Sequence, residues 1–138
     1  MNDRTPTERG PALTTIAVIL AILAVSDLLK PLRLEGADTG LVFLGKRIAG
    51  PDAAIAGPAM GVFLALFSVG VWRLRSWALP VAWIYAAYVT TNVTLFPFRT
   101  PQPPDAGIGY WIFGVVYTIA AIGGSVGCAV LLGRRLRN

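Results

Sequence analysis

Residues 17–36 read "AVILAILAVSDLLKPLRLEG", almost unbroken hydrocarbon until Asp27, then Leu28 and Leu29 before Lys30-Pro31. A run of this kind decides the fold, because an apolar helix needs ~20 residues to cross the hydrocarbon core of a bilayer. Three more such runs follow. The four spans are approximately residues 13–29, 53–72, 77–96 and 110–132, and each stops at a breaker or a charge: Lys30-Pro31, Arg73-Leu74-Arg75, Pro97-Phe98-Arg99 and Gly133-Arg134-Arg135. Inside lipid every backbone polar group must find its partner within the structure, so runs this apolar are expected to be helices. The ~10-residue alternation of a membrane β-barrel is missing. The expected fold is an all-α membrane protein, a single domain over residues 1–138 built as a four-transmembrane-helix bundle.

Composition agrees with that class. Apolar residues make up 55% of the 138 and charged residues 14%, against about 25% charged in ordinary soluble domains. The formal net charge of +5 would point to nucleic acid in a soluble chain. Here the basic residues flank apolar runs and do not interleave with stacking aromatics, so no nucleic-acid partner is expected. One cysteine and no histidine leave no disulfide, no CxxC pair and no imidazole ligand. No cofactor and no metal are expected.

The first run has a competing reading. Arg4 and Arg9 precede it, and Ala24-Val25-Ser26 resembles a signal-peptidase site. Asp3 and Glu8 dilute that basic region and apolar character resumes after Asp27, so the segment is expected to be kept as a helix. Four spans place Arg4, Arg9, Arg73, Arg75, Arg134, Arg135 and Arg137 on one side, and Lys30, Arg33, Lys46, Arg47 and Arg99 on the other. Lysine and arginine excess marks the inner side. Both termini are therefore expected to be cytoplasmic, and the Ala, Gly, Val and Arg richness suits a high-GC bacterial genome, so a bacterial inner membrane is the expected location.

That threading makes the connections unequal. The inner turn, Arg73 to Ser76, is short, and Ser76 is placed to cap the third helix. Outside lie residues 30–52 and the proline-stiffened 97–109, both longer than the ~2–8 residues usual between bundle helices. In "LRLEGADTGLVFLGKRI" two short apolar runs surround a Gly/Asp turn. This pattern fits a short β-hairpin lying on the bundle, an interfacial segment or a surface for a partner.

Polar side chains inside the spans gather toward the outer end. Asp27 lies two to three residues from the outer end of the first run; Tyr85, Tyr88 and Asn92 share a face of the third; Tyr117 and Thr118 lie about two turns into the fourth. They are either hydrogen-bonding glue between helices, with Asp27 paired to Lys30 or Arg33, or a small outward-facing pocket in which Asp27 takes a cation or proton. Asn92-Val93-Thr94 matches a glycosylation sequon at a depth where modification is not expected. Gly57, Gly61 and Ala65, and on the fourth run Ala120, Gly124 and Cys128 beside Gly123 and Gly127, form small-residue faces. Such faces pack helices closely, here the second against the fourth, or form a dimer seam. Trp72, Trp77, Tyr110 and Trp111 mark span ends, and Trp83 is the exception.

No Walker loop, nucleophile elbow, zinc-protease motif or paired intramembrane carboxylates are present. The expected function is that of a non-enzymatic accessory or scaffold protein, with the lipid bilayer and a membrane-protein partner or second copy as its associates. The alternative is a small transporter or channel-like protein using the site around Asp27.

Overall fold

Four helices long and apolar enough to cross a membrane dominate the computed structural model, which describes residues 10–32 and 40–137. In chain order they are α1 (Gly10–Leu28), a single 3-10 turn at Lys30–Leu32, strands β1 (Gly40–Phe43) and β2 (Lys46–Ala49), α2 (Pro51–Trp72), α3 (Ala78–Arg99) and α4 (Ile108–Arg137). The peptide bond between Ser26 and Asp27 lies inside α1. Large apolar side chains cover the exterior: Ile55 is 77% exposed, Ile84 67% and Phe113 69%. Helices apolar on every side and exposed on most of them have the length and composition of membrane spans.

The helices pair as α1 with α2 and α3 with α4, while α2 and α3 touch sparingly. Leu13, Ala17, Leu20 and Ala24 form one buried stripe on α1 at helical spacing, facing Leu64, Phe67 and Val71 of α2. On α3 the stripe is Ala78, Ala82 and Ala86, and α4 contributes Cys128, Ala129 and Leu132. The small side chains let backbones approach, which is how apolar helices associate where lipid removes the hydrophobic driving force. Ser68 crosses the first pair, its hydroxyl donating to the Ala17 carbonyl at 2.7 Å.

The glycine face of α2 meets α1, not α4 as its spacing suggested. A methyl at Gly61 would lie 2.8 Å from the Ala24 carbonyl oxygen, and one at Gly57 3.0 Å from that of Asp27. Ala65 packs beside the core. Around Gly123, Gly124 and Gly127 of α4 there is open space, and Ala120 is exposed. These faces therefore have different uses within the chain.

Several boundaries differ from expectation for local reasons. Proline 97 does not stop α3, which continues to Arg99; in a last turn only one intrahelical bond is forgone. The α4 helix also passes Gly133 and runs to Arg137, whose Nε donates to the Gly133 carbonyl at 3.0 Å. Ser76 does not cap α3 with its hydroxyl. Trp77 occupies the cap position, and the Ser76 carbonyl accepts from the Leu79 N–H.

The turn between α2 and α3 is a Schellman close. The Arg75 N–H donates to Gly70 O and the Leu74 N–H to Val71 O, with Leu74 at φ +49° where glycine usually sits. Its side chain packs on the core, which offsets the strain.

Candidate functional site

The expected hairpin exists, with its turn elsewhere. Leu44 and Gly45, at φ +48° and +77°, form a two-residue turn with both central residues left-handed, and β1 pairs antiparallel with β2 in the register Phe43 to Lys46 and Gly40 to Ala49. The expected Gly/Asp turn falls mostly on 36–39, outside the described residues, and Gly40 already begins β1. Leucine is a poor residue for φ > 0, so something beyond local preference holds this turn.

That support is α3. With a two-residue turn, Phe43 and Lys46 exchange ladder bonds, so the carbonyls of Val42 and Gly40 point away from β2 along an open edge. Side chains cap both. Tyr88 Oη donates to the Val42 carbonyl at 3.1 Å, Asn92 Nδ2 donates to the same oxygen at 3.0 Å, and Lys30 Nζ donates to Gly40 O at 2.9 Å. At the turn the Gly45 N–H donates to Asn92 Oδ1 at 2.7 Å, Thr100 Oγ1 to Gly45 O at 2.8 Å, and Arg99 Nη1 to Leu44 O at 3.3 Å. One carboxamide thus gives and receives, as a neighbouring strand would.

Packing enforces the same position. A methyl at Gly45 would lie 2.5 Å from the Leu95 carbonyl carbon, so the hairpin tip rests on the α3 backbone. Aromatic rings join tip to core: Phe43 and Tyr88 centroids are 5.9 Å apart, Tyr88 and Tyr85 6.4 Å, Tyr85 and Phe67 5.5 Å. Phe63 adds to Tyr85 at 6.2 Å, so the ladder bridges α2 and α3 where their helices otherwise touch little.

Asp27 borders this network. Its carboxylate lies 3.6 Å from Lys30 Nζ, with both side chains mostly buried, and the stem of Lys30 crosses the α2 backbone at Gly57. Lys30 therefore links the Asp27 carboxylate, α2 and the β1 edge.

Of the residues expected to converge, Asp27, Tyr88 and Asn92 gather at the hairpin, and Tyr85 stands below them in the ring ladder. Tyr117 is not brought into the hydrogen-bonded set: it is 57% exposed and stacks on Phe113 of its own helix, with Thr118 half-buried beside it. Lys30 pairs with Asp27 as one of the two expected arrangements had it, but its bond to Gly40 O was missed, as were Arg99 and Thr100 as members. Their signal was position, since each sits within a turn of a helix end beside the loop. Among the described residues no group of acidic or sulfur side chains is arranged to hold a metal. No protein-family model, curated protein or solved structure matches this chain.

Proposed function

We propose that this chain is an integral protein of a bacterial cytoplasmic membrane, with both termini inside, acting as a non-enzymatic accessory or scaffold protein that holds the Gly40–Ala49 hairpin at the outer surface. The observation that carries the proposal is the use made of Tyr88 and Asn92. These two of the six candidates for a solute pocket have their hydrogen-bonding groups directed to β1 and its turn. What this end offers outward is a fixed β-turn with Phe43 and Leu44 exposed beside Lys46 and Arg47. A rigid apolar tip with a basic rim suits docking to another protein better than passage of a solute. The transporter alternative draws its support from Asp27 alone.

Two experiments test this. Cysteines introduced at Ser76 and Asn138 should resist an impermeant thiol reagent on intact cells while those at Thr39 and Gln102 label; labelling at Ser76 and not at Thr39 inverts the threading. Extraction in mild detergent should yield the protein with a stoichiometric partner that is lost on Phe43→Ser with Leu44→Ser. A lone homo-oligomer stabilised by a particular ion would favour transport.

A further inference from the structure

The other end of the bundle carries a cluster of positive charge that meets no acidic side chain among the described residues. The α1 and α3 helices begin there and α2 and α4 end there, so the partial charges of the helix termini, about +0.5 at starts and −0.5 at ends, cancel. Arg73, Arg75, Arg134, Arg135 and Arg137 are all exposed at this end, while the described acidic residues, Asp27, Asp52 and Asp105, all belong to the opposite end. Arginine in the last turn of α4 complements that helix terminus, but five full charges exceed what two half-charges require. The surplus faces outward.

The arginines are also held in place. Arg73 and Arg75 flank Leu74, whose left-handed backbone and paired N–H bonds lock the turn. The guanidinium of Arg135 lies over the first residue of α1, since a methyl on Gly10 would sit 2.9 Å from Nη2. Around the turn the sequence reads Trp72-Arg73-Leu74-Arg75-Ser76-Trp77, and both indoles are exposed, with Trp77 also resting on Gly70. Indoles concentrate at the level of lipid headgroups, where an apolar ring and a polar N–H are both solvated. Guanidinium forks at that same level match the oxygens of a phosphodiester.

We propose that the Trp72–Trp77 turn together with Arg134 and Arg135 forms a docking surface for the headgroups of anionic phospholipids, which bind to the arginines through their phosphodiesters. The proposal rests on the membrane-spanning reading and adds a lipid class to it. Each basic residue at an anionic surface raises affinity about fivefold. The full-length protein, in a neutral detergent, should therefore gain thermal stability on titration with phosphatidylglycerol and gain less with phosphatidylcholine.

The variant carrying Arg73→Gln, Arg75→Gln, Arg134→Gln and Arg135→Gln should need about a hundredfold or more phosphatidylglycerol for the same gain, since the four factors multiply. Replacing the same four by lysine should retain most of it. Native mass spectrometry supplies a readout free of unfolding: wild type should keep phosphatidylglycerol adducts that the glutamine variant sheds. Equal gains with both lipids, or equal adducts on both proteins, overturn the proposal. Inorganic phosphate that reproduces the gain at matched concentration overturns the lipid source. Failure of the wild-type protein to enter bilayers at all would instead sink the membrane reading, so the two failures are separable.

Discussion

The two ends of the bundle solve the same problem with different chemistry. At the hairpin end, carbonyls and an N–H left over by a two-stranded edge are met by Tyr88, Asn92, Thr100, Arg99 and Lys30, in short and directional bonds. At the arginine end the backbone closes on itself through the Leu74 turn, and the long side chains remain outside it. One end is closed by side chains and the other displays charge on a turn closed by its own backbone. The first should therefore be sensitive to small neutral substitutions and indifferent to salt, and the second the reverse.

The comparison breaks most readily at Gly45. Gly45→Ala places a methyl against the Leu95 backbone and asks alanine to hold φ +77°, so a loss of about 2–4 kcal/mol is expected in detergent unfolding. An unchanged melting temperature would mean that the hairpin does not rest on α3. Next comes Asn92→Ala, which leaves the Gly45 N–H without its acceptor while Tyr88 still serves Val42; about 1–3 kcal/mol should be lost, with faster hydrogen exchange at the Gly45 amide as its local mark.

A smaller effect is expected for Asp27→Asn. Because the pair is long at 3.6 Å and asparagine keeps an acceptor oxygen beside Lys30, a scaffold whose Asp27 serves mainly to orient Lys30 should lose about 1 kcal/mol, with melting curves that stay parallel to wild type from about pH 5 to about pH 9 and respond alike to every cation added. A cation that stabilises wild type and not the variant would restore the transport alternative. The least change belongs to the arginine end. Arg73→Gln with Arg75→Gln should shift stability in a neutral detergent by no more than about 0.5 kcal/mol, because among the described residues the turn is closed by backbone bonds and both side chains are exposed. A large loss there would show that both ends are held by their side chains.

Legibility in the sequence follows the same division. The spans could be read because apolar length is a one-dimensional property, and the crowding of arginines at one end follows from span parity alone. The partner of the Gly57 and Gly61 face was not readable: helices that are apolar all round carry no periodic signal saying which side looks at protein and which at lipid. That same lack of amphipathic bias hid the exposure of Tyr117, which stands outside the hydrogen-bonded set. Asn92 showed its depth but not its task, since a carboxamide in a span looks alike whether it lines a pocket or replaces a strand. The turn escaped because Leu44-Gly45 lacks the Asn-Gly signature, its conformation being imposed by residues far along the chain.

That distance has a consequence in time. The hairpin lies between α1 and α2 in sequence, yet Tyr88, Asn92 and Thr100 are separated from their acceptors or donors by 46, 50 and 55 residues. During synthesis at roughly 5–20 residues per second, α1 and α2 can pair through Gly57 and Gly61 several seconds before the residues that finish the β1 edge have been made. For that interval the nascent hairpin leaves its Val42 carbonyl and its turn open, Gly40 being already met by Lys30, and the arrival of α3 is the event that closes it. The second helical pair thereby completes the first, giving assembly an order that the finished bundle conceals.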